Sequence, residues 1–152
     1  LIVDDERAIR RTVARDIQKN DPDVAVHEAA NGQEGMEKLA EIRDKTKRDP
    51  LFIVLDLNMP VMNGWEFIDA LRKEYEAQGK HQGVPIVVLS STSGETGIPL
   101  FKKSVHAEKS HYSPLVTVAK EACINPKKYD ATGEKGLVAW MKYFLKAGGE
   151  GV

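Results

Sequence analysis

Apolar residues along this chain fall into two alternating patterns. Short continuous runs, Leu1-Ile2-Val3, residues 51–55 and residues 84–89, alternate with stretches where apolar positions recur every three or four residues. A run that is apolar at every position reads as a strand buried on both faces, and the wider spacing as one face of a helix. Ile9, Val13 and Ile17 stripe a first helix, Met36, Leu39 and Ile42 a second, and Trp65, Phe67, Ile68 and Leu71 a third. Residues 24–29 predict the second strand, ended by the turn pair Asn31-Gly32. Leu137, Val138, Met141, Phe144 and Leu145 mark a last helix. Strands alternating with helices imply βαβ units and a parallel sheet.

The later part of the chain is less regular. Ala122-Cys123-Ile124-Asn125 reads as a short fifth strand. Ser113-Pro114 reads as a helix N-cap followed by proline at the first helical position, which predicts a fourth helix over residues 113–121. Residues 94–112 are then an unusually long connection, which reads as a functional loop, a mobile one, or a stretch holding an element the pattern does not reveal. Five β–α units predict a doubly wound α/β fold, a five-stranded parallel sheet of order 2-1-3-4-5. The expected organisation is one domain over residues 1–148, with an extended region at 93–121 and a tail at 149–152.

Composition narrows the class. With 152 residues, 41% hydrophobic and 30% charged, the chain can bury a core without disulfides or metals and does not have the makeup of a disordered segment. A net charge of −1 gives no overall footprint for nucleic acid or an anionic membrane. No apolar run reaches the length of a membrane span. The lone Cys123 excludes an internal disulfide and fits a reducing cytoplasm, the expected location. The chain opens on Leu1 rather than Met, which reads as a true N-terminus lying upstream.

The chemistry concentrates where the strands end. Asp4 and Asp5 close the first apolar run and Asp56 closes the third. An aspartate directly after such a run is costly unless it sits at the mouth of a sheet, within reach of water or a metal. The doubly wound order brings these two mouths together at the switch point between strands one and three, and Ser90, at the end of strand four, joins the same rim. Three carboxylates in one small pocket repel each other unless a cation offsets them, so Mg²⁺ is the expected guest. One carboxylate could then act as nucleophile towards a phosphoryl group. Taken alone, an acidic pair after a strand is as often a helix cap; Asp56 and the frame Met59-Pro60 with Gly64 favour a site. His106 and His111 lack the spacing of a helical ligand pair and read as loop histidines, and Trp65 and Trp140 as packing residues.

Four segments carry a specific resemblance: Leu1-Ile2-Val3-Asp4-Asp5-Glu6, Glu28-Ala29-Ala30-Asn31-Gly32, Leu55-Asp56-Leu57-Asn58-Met59-Pro60 with Gly64, and Val87-Val88-Leu89-Ser90-Ser91. In that order and spacing the chain resembles the receiver domain of two-component response regulators, a flavodoxin-like fold. The resemblance implies that Asp56 is the phosphoacceptor. It implies that Mg²⁺ is bound by Asp5, Asp56 and the backbone carbonyl of Asn58, with Asp4 supporting it, and that Ser90 is the hydroxyl that answers the phosphoryl group. It implies phosphorylation by a sensor histidine kinase or a phosphotransfer protein, and an output through a protein partner or a fused domain rather than through chemistry of its own. The family places a lysine, normally followed by proline, at the end of strand five. Here Asn125 precedes Pro126, so Lys127 is the first substitute, with Lys128 and Lys120 behind it, and Cys123 stands where the family carries a switch aromatic. Two other functions fit less well. One is a degenerate receiver acting as a constitutive interaction module. The other is an aspartyl-phosphate phosphohydrolase, which would need a second acid where this chain has Asn58.

Overall fold

In the computed structural model the described residues are 1–80, 82–90, 112 and 115–119. The continuous apolar runs form the middle of a parallel sheet. Its strands are β1 (Ile2–Val3), β2 (Glu28–Ala29), β3 (Ile53–Asp56), β4 (Ile86–Ser90) and β5 (Leu115–Ala119), in the order β2-β1-β3-β4-β5. Each described pairing is parallel, as the sequence pattern required. β2 is shorter than expected, because β1 offers only two residues to pair with it, Ile2 to Glu28 and Val3 to Ala29. Val24 and Val26 pack instead as partly buried side chains.

Successive residues of a strand point to opposite faces, and the helices divide accordingly. Ile9, Val13 and Ile17 of α1 (Arg7–Asn20) pack with Ile2, Val54, Val87 and Leu89 on one face. Leu39 and Ile42 of α2 (Gly32–Thr46), with Phe67, Ile68 and Leu71 of α3 (Gly64–Ala77), pack with Val3, Leu55 and Val88 on the other. Burial of each such Leu, Ile or Phe contributes about 1.5–3 kcal/mol. Trp65 departs from the expected packing stripe and is 37% exposed.

The region beyond β4 corrects the sequence reading. Residues 115–119, expected in a fourth helix, form β5 and pair with β4 from Ile86↔Leu115 to Ser90↔Ala119. Val116, Thr117 and Val118 are β-branched, stiff at χ1 and suited to a pleated strand. A full-length β4 edge outweighs the local cap signal of Ser113-Pro114. The fifth strand is therefore Leu115–Ala119 rather than residues 122–125, which lie outside the described residues together with the expected last helix. Tyr112, just upstream of β5, is buried; its hydroxyl donates to the Val84 carbonyl at 2.6 Å.

Candidate functional site

The carboxyl ends of β1 and β3 meet at the switch point. Val3 pairs with Leu55, so the next residues, Asp4 and Asp56, emerge side by side at the rim. Asp4 is 0% exposed and Asp56 2%, whereas Asp5 faces solvent. One carboxylate oxygen from each of the three lies within 4.8 Å of the others. The N-cap of α1 is Glu6, with no side-chain cap bond, and Asp4 instead folds back so that its Oδ1 accepts from the Glu6 amide at 2.8 Å. The Asp4 amide donates to the Ala29 carbonyl at 3.1 Å, tying the β1 mouth to β2.

Two features of the neighbouring loops fix Asp56. The Asn58 amide approaches Asp56 Oδ1 at 3.4 Å, and the Gly64 amide donates to the Leu57 carbonyl at 2.9 Å. A Cβ on Gly64 would stand 2.4 Å from the Asp56 carbonyl oxygen and 2.8 Å from Leu57 Cα, so only glycine lets α3 start this close to the acid. A capping box then holds that start: Asn63 Oδ1 accepts from the Glu66 amide at 2.9 Å, and Glu66 Oε1 from the Asn63 amide at 3.1 Å. Between them the loop passes through Val61 at φ 68°, a strained conformation for a β-branched residue.

Arg10 is the site element that sequence reasoning missed. Its Nη1 donates to the Asp4 carbonyl at 2.8 Å and its Nε to Glu28 Oε1 at 3.2 Å. One guanidinium thus clamps the loop carrying Asp4 and Asp5 against β2. The available signal was an arginine one turn into α1 behind the acidic pair, with Glu28 on the neighbouring strand.

The remaining expected residues are placed as follows. Ser90 ends β4, one residue past the Asp56↔Leu89 pair, and is itself paired with Ala119. Lys120 is the residue that directly follows β5 in the chain, while Lys127 and Lys128 lie outside the described residues. Asn58 is exposed on the rim. The donor set suits a hard divalent cation: octahedral Mg²⁺ holds oxygens at about 2.0–2.1 Å, so ligands on opposite sides are roughly 4 Å apart. The three carboxylates, gathered within 4.8 Å, lie on that scale.

Fold and site together define a doubly wound, flavodoxin-like domain with an acidic pocket at its switch point. The chain belongs to the response regulator receiver domain family, whose model matches residues 1–107, and is a receiver domain of a two-component response regulator. It is 43% identical over 74 residues to the nitrate/nitrite response regulator NarL of Escherichia coli, a match covering 49% of this chain and 32% of that protein. Its fold matches that of the chemotaxis protein CheY4 of Vibrio cholerae with TM-score 0.55 and 29% identity, over 90% of this chain and 95% of the other. The receiver domain of the histidine kinase CKI1 of Arabidopsis thaliana, solved with Mg²⁺, matches with TM-score 0.57 and 20% identity over 87% and 88%. The chain spans about a quarter to a third of the length of the curated relatives it matches. Among the described residues, no helix is long and apolar enough to cross a membrane.

Proposed function

We propose that this receiver domain accepts a phosphoryl group on Asp56 in the presence of Mg²⁺. The observation that carries the reading is the convergence of Asp4, Asp5 and Asp56 at one mouth, two of them buried. A carboxylate oxygen of Asp56 forms the new bond to phosphorus, while the bond to the donor breaks and its electron pair leaves with the donor, the phosphohistidine nitrogen of a sensor histidine kinase or phosphotransfer protein. Asp5, Asp56 and the Asn58 carbonyl, with Asp4 behind, would hold Mg²⁺, which would offset charge on the transferred oxygens. Arg10 keeps the Asp4–Asp5 loop seated for that purpose.

The register of β5 favours Lys120 over Lys127 as the lysine that pairs with the phosphoryl group. Ala119 lies opposite Ser90, and Lys120 is the residue that follows it in the chain. Glu121 rather than proline follows it, and β5 carries no aromatic residue, so the coupling to a switch aromatic differs from the family pattern. The added charge beside Ser90 biases the face around β4 and β5 towards or away from an output, either a protein partner or a fused domain. A cytoplasmic setting, where such kinases deliver their phosphoryl groups, fits this role.

Intact mass after incubation with Mg²⁺ and a small phosphodonor tests the proposal, with Asp56→Asn alongside. One added phosphoryl group, lost in the variant and on chelation, is the expected result. A folded protein that gains no mass would instead make the chain a constitutive interaction module.

A further inference from the structure

The corner between β2 and α2, residues 29–32, touches both loops that carry the acidic mouth. On one side the Asp4 amide donates to the Ala29 carbonyl at 3.1 Å. On the other the Gly32 amide, first in α2, donates to the Met62 carbonyl of the β3–α3 loop at 2.9 Å. The Met62 side chain lies over the same glycine, so a Cβ on Gly32 would stand 2.7 Å from both Met62 Cγ and the Met62 carbonyl oxygen. Next to this contact the loop bends sharply. The Met62 amide donates back to the Pro60 carbonyl at 2.8 Å, across Val61 at φ 68°. A hydrogen bond that spans one residue at positive φ makes a γ-turn of the rare, strained kind, and a β-branched side chain suits it least. The strain does not serve the core, since Val61 is 80% exposed. Such a conformation persists only where the surrounding structure holds the backbone.

We propose that Gly32 and Met62 are positioning residues for the metal: the tether from α2 holds the strained turn, and the turn sets where the Asn58 carbonyl stands. That carbonyl is a metal ligand only under the receiver reading, on which this assignment rests. The turn begins at Pro60, two residues past Asn58, and the near side of the same segment is fixed by the Gly64 amide on the Leu57 carbonyl. The loop is thus pinned at Leu57 and at Met62, and a released turn relaxes by moving the stretch between them, which contains Asn58. Asp56, paired within β3, stays in place. Mg²⁺ demands near-ideal octahedral geometry, whereas Ca²⁺ accepts irregular sets of oxygens. Loss of the tether should therefore tell on Mg²⁺ more than on Ca²⁺. Glycine adopts positive φ without a steric penalty, so Val61→Gly removes the strain and with it the need for a tether.

The test is calorimetric titration of the unphosphorylated chain with Mg²⁺ and, separately, with Ca²⁺, alongside amide NMR spectra of the metal-free protein. Wild type is compared with Gly32→Ala, Met62→Ala, Val61→Gly and the double variant Gly32→Ala/Val61→Gly. Gly32→Ala is expected to bind Mg²⁺ about tenfold more weakly, with a smaller loss for Ca²⁺ and a displaced Asn58 amide resonance. Met62→Ala keeps the backbone bond and introduces no clash. It should show the same ranking of the two metals to a lesser degree, and it carries the test if Gly32→Ala does not fold. Adding Val61→Gly to Gly32→Ala should recover most of the Mg²⁺ affinity. Unchanged Mg²⁺ binding, equal losses for both metals, or no recovery in the double variant would each overturn the proposal. A wild-type chain that takes up no Mg²⁺ would instead sink the receiver reading. The metal-free spectra then decide whether the tether sets Asn58: a displaced Asn58 amide in Met62→Ala supports it, and an unmoved one overturns it.

Discussion

Gly64→Ala separates two effects of opposite sign on the same residue. Alanine favours a helical position over glycine by up to about 1 kcal/mol, so propensity alone would make the variant more stable. Packing says the reverse. The new methyl would stand 2.4 Å from the Asp56 carbonyl oxygen, against an ordinary contact of at least 3.4 Å, so about 1 Å of movement is needed. Both closest atoms belong to the backbone of Asp56 and Leu57, and no side-chain rotation relieves them. Overpacking of this kind costs about 1–3 kcal/mol, leaving a net loss of up to about 2 kcal/mol and a Tm lower by up to roughly 8 °C. The consequence for function is larger, because metal ligands tolerate only about 0.2 Å of misplacement. We expect Mg²⁺ affinity to fall by about tenfold or more, measured by calorimetric titration beside thermal unfolding. A Tm equal to or above wild type with unchanged Mg²⁺ affinity would refute the idea that Gly64 sets the position of Asp56.

Other expectations follow from the same geometry. Arg10→Met should release the Asp4 loop from β2 and weaken Mg²⁺ binding several-fold, with a stability loss of about 1 kcal/mol; calorimetry showing wild-type affinity would leave the clamp without a role. Lys120→Ala should slow phosphorylation of Asp56 by a small phosphodonor by about tenfold or more, while Lys127→Ala should not, and the opposite ranking in a mass-spectrometric time course would reverse the assignment. Burial, with a further contribution from its bond to Asp49, raises Tyr75 to about 12. An unfolded tyrosine ionises near 10, so this stabilisation is complete below about pH 10 and is lost as pH climbs towards 12. Tyr75→Phe should therefore flatten the alkaline fall in stability by about 2 kcal/mol, and an unchanged slope in denaturant melts across that window would contradict it.

Most of the fold up to β4 was legible because its signals are local and agree with each other. The buried strands are apolar throughout, the stripes of α1, α2 and α3 carry the buried residues, and Asn31 and Asn63 cap the helices they precede. The acidic triad was legible for a related reason: an aspartate ending a buried run is expensive enough to need an explanation, and the doubly wound topology brings two such residues together. Arg10 was not, because it reacts with nothing and acts by holding the Asp4 carbonyl, a backbone atom that leaves no trace in composition or motif.

β5 shows how a local rule loses. Ser113-Pro114 is a sound helix start, but a helix over residues 113–121 would have left the far edge of β4 without a strand. Pairing residues 115–119 there satisfies the whole edge from Ile86 to Ser90, and β-branched side chains at Val116, Thr117 and Val118 favour that outcome over a helix. This correction changes the chemistry as well as the topology. It moves the end of strand five from Asn125 to Ala119 and brings Lys120, the last of the three lysines considered from sequence, to the head of the list. The same shift removes the need for Asn125 to stand in for a lysine. The departure read at Asn125 thus rested on a strand boundary that the sheet places elsewhere, while Glu121 in place of proline and a β5 without an aromatic residue still set the chain apart from the family pattern.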